Sequence, residues 1–171
     1  GQTIPMEMKR EVKKEGDNWV ITDTSISPMG NSTDVVYLNG MKEVKRVVSQ
    51  GGQTIEFVIS DDKISTTMMG KTTETPIKDA FLSEGAGLDL LIARLPLTDN
   101  YKTAFNTYDF MTQKMKTMKL EVLGKEANLL KVKIQNAANE KETKMLFIDQ
   151  EKQMAVIKEQ VIPAMGNAKL T

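Results

Sequence analysis

The chain has 171 residues, with 23 Lys and Arg balanced by 23 Asp and Glu, 12 Met, one Trp, and neither Cys nor His. Without His or Cys there is no Ser-His-Asp or Cys-His nucleophile pair, no imidazole or thiolate zinc site, no disulfide and no thiol redox motif. A formal net charge of zero argues against broad electrostatic capture of nucleic acid, so no nucleic-acid partner is expected.

Period-two alternation dominates the sequence. Met6, Met8 and Val12 alternate with Glu7, Lys9, Glu11 and Lys13, the pattern of a half-buried strand. A helix is the rival there, because Glu7, Glu11 and Glu15 also fall at i, i+4 spacing; the strand is the preferred reading. Trp19-Val20-Ile21 begins a second strand that runs toward the turn Pro28-Met29-Gly30-Asn31. Val35 to Leu38 meets Asn39-Gly40, the strongest short hairpin signal, and Met41 to Val48 returns. Gly51-Gly52 turns again, and Ile55, Phe57 and Ile59 alternate with polar or smaller neighbours. Asp61-Asp62-Lys63 is a polar turn before Ile64 to Met69, and Gly70-Lys71 leads into the Thr-rich stretch Thr72 to Ile77.

The pattern changes once, at Gly87 to Leu95. This compact apolar segment is flanked by Gly85 and stopped by Pro96, which predicts one short central helix near 87–95. Alternation resumes at Tyr101, Thr103, Phe105 and Thr107, turns at Asp109 to Lys114, and continues through Met118, Leu120 and Val122. Leu130, Val132 and Ile134 come next, then Met145 to Ile148, then Met154 to Ile162-Pro163. The fold class expected is therefore mainly β, an antiparallel meander of about ten strands curled into a half-barrel, a barrel or a sandwich. Residues 1–171 read as one domain, with 1–5 a flexible tail. No apolar run approaches the roughly 20 residues of a membrane-spanning helix, so no transmembrane segment is expected. The chain opens on Gly1-Gln2 in place of Met, which is read as the trace of a removed leader.

Carboxylates are the acid-base groups left in quantity. Asp61-Asp62 is the most obvious pair, but neighbours on a turn point apart and serve the turn. Asp79, Glu84 and Asp89 surround the helix start, where they cap it or complement its dipole. No G-x-S-x-G, P-loop or EF-hand string occurs, so no catalytic residue, metal site or cofactor is assigned. Methionine is the unusual count. Met is flexible and polarizable and suits both core gaps and promiscuous apolar surfaces. Met68, Met111, Met115 and Met118, with Leu91 and Leu95 of the helix, are the candidates for lining an apolar ligand site.

The strings Trp19-Val20-Ile21-Thr22 with Pro28-Met29-Gly30, and Ala93-Arg94-Leu95-Pro96-Leu97 with Tyr101 and Phe105, carry a resemblance. So do Val122-Leu123-Gly124-Lys125-Glu126, Leu146-Phe147-Ile148-Asp149 and Val156-Ile157-Lys158. From about residue 6 to residue 167 the chain resembles a domain of unknown function that recurs in secreted proteins of Bacteroidetes-type bacteria. That domain is similar to the lipoprotein-carrier half-barrel group, in which an antiparallel sheet curls around a helix. The resemblance implies periplasmic, outer-membrane-associated or secreted residence after loss of a leader, and a non-catalytic role. The lipid-attachment cysteine of such proteins is absent. The expected function is an exported domain binding an apolar ligand, lipid or lipoprotein segment on a concave sheet, with the helix as plug or gate. The alternative is an accessory interaction domain of a larger secreted hydrolase or peptidase, its partner another domain or protein of the cell envelope. A carboxylate-based hydrolase comes third.

Overall fold

Apolar side chains two apart along an extended chain share one face, and a chain that repeats this between short turns folds back on itself strand by strand. The computed structural model shows this outcome; it describes residues 7–28, 30–110, 112–162 and 166–170, with side chains as far as Glu159. The protein is mainly β, with thirteen strands and one short α-helix among the described residues. The chain divides into two compact units, residues 1–80 and 81–171.

The first unit is a seven-stranded antiparallel meander in which each strand pairs with the next. Its strands are β1 (Glu7–Glu15), β2 (Asn18–Ser27), β3 (Gly30–Asn39), β4 (Lys42–Gln50), β5 (Gln53–Ile59), β6 (Lys63–Met68) and β7 (Lys71–Pro76). The strand reading of Met8 to Val12 holds over its helical rival, and Glu7, Lys9, Glu11, Lys13 and Glu15 share one face of this edge strand. Charges of alternating sign on an exposed edge oppose pairing with other chains. One face of the sheet carries Ile21, Val36, Leu38, Phe57, Ile59 and Ile64, all buried.

The second unit begins with a 3-10 turn (Gly85–Gly87) that runs into α1 (Leu88–Ala93), inside the 87–95 window expected for the helix. Residue 95 precedes Pro96 and is steered away from helical backbone. The last turn accordingly tightens, with Arg94 N–H donating to Leu91 O at 3.2 Å and Leu95 N–H to Ile92 O at 3.1 Å. Six antiparallel strands follow in chain order: β8 (Lys102–Asp109), β9 (Lys114–Glu126), β10 (Leu129–Asn136), β11 (Thr143–Asp149), β12 (Met154–Ile162) and β13 (Gly166–Leu170). The strand count exceeds the expected ten; β13, beyond Pro163, lies where the sequence reading places no strand.

Both sheets are open meanders, since no pairing joins β1 to β7 or β8 to β13 among the described residues. The expected antiparallel meander is therefore found without closure into a barrel. The core of the second unit forms where Leu88, Ile92, Ala93 and Leu97 meet Met118, Leu120, Val122, Leu130, Val132, Ile134, Leu146 and Ile148.

Candidate functional site

The strand register of the second unit sets two chemistries on one face of its sheet. Leu120 pairs with Ile134, Val122 with Val132, Val132 with Leu146, and Leu130 with Ile148, so these side chains lie side by side beneath α1. Along the same face the residues change character. Thr107 pairs with Lys116, Ile134 with Lys144, and Leu146 with Lys158, which places one lysine each on β9, β11 and β12 beside the apolar patch.

Each lysine meets an acid from a connecting segment or strand end. Lys116 Nζ lies 2.9 Å from Asp109 Oδ2 and 3.1 Å from Glu142 Oε1. Lys158 Nζ lies 2.6 Å from Asp89 Oδ2 in α1, and Lys144 Nζ lies 3.9 Å from Glu84, just before the 3-10 turn. Asn136 Nδ2 donates to the other Glu142 oxygen at 2.8 Å, and Asp109 Oδ1 accepts the Thr112 N–H at 3.0 Å.

Helix-start carboxylates are expected to cap the helix or complement its dipole; Asp89 stands in the first turn of α1, where it suits the dipole, but neither it nor Glu84 caps. No side-chain cap bond forms at the 3-10 turn or at α1, whose N-cap is Gly87. A glycine has no oxygen to offer the first N–H groups. The two acids instead point at the lysines and fasten the segment to the sheet.

The electrostatics follow from this geometry. Partial burial works to lower the Lys116 pKa, but hydrogen bonds to Asp109 and Glu142, with the charges of Glu84 and Asp109, outweigh it and raise the value. Burial likewise works to raise Asp109, and is outweighed by the Thr112 N–H and by Lys116, so its carboxyl falls below its ordinary range. Glu142 shifts the same way, with Asn136 and Lys116 overcoming the burial. Thr107 is the exception in this neighbourhood. It is fully buried and its hydroxyl has no hydrogen-bond partner.

The arrangement is suited to holding a segment closed more than to acid-base work, because these four acids face lysines. Asp61 pairs with Lys42 and Asp62 accepts from Ser60 Oγ at 2.9 Å, in the β5–β6 turn. Among the described residues no group of three His, Cys, Asp or Glu stands together that could hold a metal.

The six apolar-lining candidates separate. Met118 is buried in the core, and Leu95 packs against the same cluster. Leu91 is fully buried in α1. Met115 is half-buried, and an odd spacing of three along β9 puts it on the opposite face from Met118. Met68 belongs to the first unit, where its side chain is 43% exposed. Met111 lies outside the described residues. Sequence reasoning misses Lys116, Lys144 and Lys158, although Lys116 shares the parity of Met118 and Leu120 and could have been flagged as an inward charge.

On the other face of this sheet, Lys102, Lys119, Glu121, Lys133 and Gln135 contribute to an open groove of about 370 Å³. Lys102 sits 2.5 Å from Glu121 and holds its carboxyl below the ordinary value, with Lys133 adding to the effect.

No protein-family model matches the chain, and no curated protein does. The chain is similar to a solved structure of a DUF1089 family protein from Pseudomonas aeruginosa, with a TM-score of 0.54 and 12% sequence identity over 89% of each chain. At that identity the likeness extends to the fold and no further.

Proposed function

We propose that the protein is a non-catalytic binding protein of the cell envelope, and that its second unit takes a lipid, or another ligand with an acyl chain, on the sheet face that α1 covers. The observation that carries this reading is the nature of the cover. It is a six-residue helix between Gly85, Gly87 and Pro96, with no side-chain cap, fastened by Asp89–Lys158 and Glu84–Lys144. So short a helix has no stability of its own in water and owes its form to the sheet beneath it.

Magnitudes allow the exchange. Lifting the segment exposes Leu88, Leu91, Ile92, Ala93 and Leu97, at a cost of roughly 7–13 kcal/mol for side chains of this size. An acyl chain of about 14 methylenes returns roughly 11 kcal/mol when buried at about 0.8 kcal/mol each. A ligand with a single long chain therefore matches the cost, and a small apolar molecule does not.

The test is native mass spectrometry of protein purified from a host with a natural envelope, joined to titration with a fluorescent long-chain fatty acid. Co-purified lipid and saturable binding are expected. Lys158→Ala should tighten apparent binding about thirtyfold or more, because the roughly 2–3 kcal/mol lost from the closed state appears directly in the affinity. Protein free of lipid that also ignores the fatty acid sinks the proposal.

The lysine-bearing groove on the outer face of the same sheet favours a second reading, an accessory domain that docks on a larger secreted hydrolase or peptidase. A gene product with several hundred residues upstream, binding its own catalytic domain through Lys119 and Lys133, would establish it.

A further inference from the structure

The two ends of the first sheet differ in charge. At one end lie the β1–β2, β3–β4 and β5–β6 turns, with Glu15, Asp17, Lys42, Asp61, Asp62 and Lys63. The chain leaves the sheet at this end, where Ile77 N–H donates to Asp62 O at 2.8 Å. At the other end, residues 25–28, 30–32, 49–54 and 67–72 contain a single charge, Lys71, among Ser, Thr, Gln, Asn and Gly; Glu7 stands beside them at the start of β1, paired with Ile26.

The uncharged end also bears apolar side chains in water. Met69 is 77% exposed, more than any other large apolar residue described, and Met68, Ile26 and Met8 are 43%, 44% and 40% exposed. They span the sheet from β1 to the β6–β7 turn.

The backbone at Met69 makes this arrangement costly. Met68 pairs with Lys71, so Met69 and Gly70 form a two-residue loop with φ of 50° and 74°. Two left-handed residues in such a loop call for Asn-Gly or Gly-Gly, and the neighbouring β4–β5 loop is indeed Gly51-Gly52, with φ of 59° and 78°. Methionine at that position is strained and gains no burial within the unit. A residue that opposes both local conformation and solvation is a candidate for a contact outside the chain.

We infer that this end of the first sheet docks on the surface of a lipid bilayer, with Met68 and Met69 inserted among the headgroups and the Ser, Thr and Gln turns resting on them. The scarcity of charge, with Lys71 and Glu7 the two charged residues there, fits a zwitterionic interface, which gives no electrostatic return for a Lys and penalises a buried Asp or Glu. Flexible unbranched methionines adapt to such a disordered surface. The inference stands apart from ligand binding by the second unit, which could hold without it.

Co-sedimentation with phosphatidylcholine vesicles tests it, using the full chain. Binding is expected in low and high salt alike. Met69→Asn should reduce the partition about tenfold, and adding Met68→Ser about tenfold more, the fold-change of withholding one such side chain from the apolar region. Asn is the residue the left-handed position prefers, so the variant keeps the hairpin, and its circular dichroism should match the parent. Failure of the parent to bind, or equal binding by parent and Met69→Asn, overturns the inference. So does binding restricted to phosphatidylglycerol vesicles and lost in salt, which would assign the contact to lysines such as Lys119 and Lys133.

Discussion

The two sheets carry partly buried charge on the same face as their apolar residues, and they neutralise it differently. In the first sheet the pairs lie within the sheet. Arg10 of β1 grips Asp23 of β2 with bonds of 2.6 and 2.5 Å, and Arg46 of β4 grips Asp34 of β3 with bonds of 2.8 and 2.6 Å. Asp23 and Asp34 are register partners, so two like charges stand opposite each other and the arginines relieve them from both sides. In the second sheet the pairs lead away from the strands, to α1, to the segment before the 3-10 turn and to the β10–β11 turn. One set ties strand to strand, and the other ties a cover to a sheet. A meander whose neighbours already share full ladders gains little from the first kind. A six-residue helix depends on the second.

Deleting one cation from each set gives the largest expected separation between the regions. Lys158→Ala removes the ammonium 2.6 Å from Asp89, whose side chain is 5% exposed. Removing one partner of so buried a pair should cost about 2–3 kcal/mol. Arg10→Ala acts at an edge strand on a pair that is 24% and 12% exposed, and should cost about 1 kcal/mol or less. Urea unfolding of the two variants measures both, and hydrogen exchange places the first loss at residues 84–95 and the second at β1. Equal costs would remove the distinction between a latch and a ladder.

The acid limb of the pH–stability profile sharpens the contrast at an intermediate level. Asp109 and Glu142 have folded pKa values below their unfolded ones, which are about 3.9 and 4.3. Their contribution is therefore complete above those unfolded values and is lost as pH falls through the folded ones. Lys116 has the opposite sign. Its raised value gives stability that is complete below about pH 10.4 and lost as pH rises through the folded pKa. Asp61 of the first sheet is also lowered, but it is fully exposed beside Lys42 and adds nothing measurable. Lys116→Met should thus flatten both limbs for the second unit and cost about 1.5 kcal/mol between them, while Lys42→Met leaves the profile unchanged.

The strands were legible because apolar and polar residues alternate with short turns between them, and the helix because Gly85, Gly87 and Pro96 bracket an apolar run. The site was legible only in part. Met118 and Leu95 belong to one core cluster, whereas Met115 points away from Met118, a consequence of odd spacing that the sequence already contained. Lys144 shares parity with Leu146 and Ile148 and announces an inward charge. Lys158 does not. The pairing of β11 with β12 slips between Phe147 and Ile148, so that Ile148 faces Ala155 while Phe147 faces Ile157, and no alternation rule carries across the slip. Its partner Asp89 looks like a helix-start carboxylate in the sequence, and its second role needs the register to be seen.

The smallest expected effect concerns hydroxyls. On the first sheet Thr67 and Thr72 share a hydrogen bond of 2.9 Å, and Ser49 and Thr54 one of 3.0 Å, all at exposed positions. Replacing Thr67 by Val should change stability by a few tenths of a kcal/mol at most, since water replaces the lost partner. Thr107 of the second sheet is buried, opposite Lys116, with its hydroxyl unpartnered. A donor held away from water without a bond costs about 1 kcal/mol or more, and Thr107→Val removes it with little change of shape. The variant should therefore be more stable by about 1 kcal/mol. Loss of stability instead would mean that the hydroxyl serves the Lys116 cluster, and the charged edge of that face would then be a polar network in which Thr107 takes part.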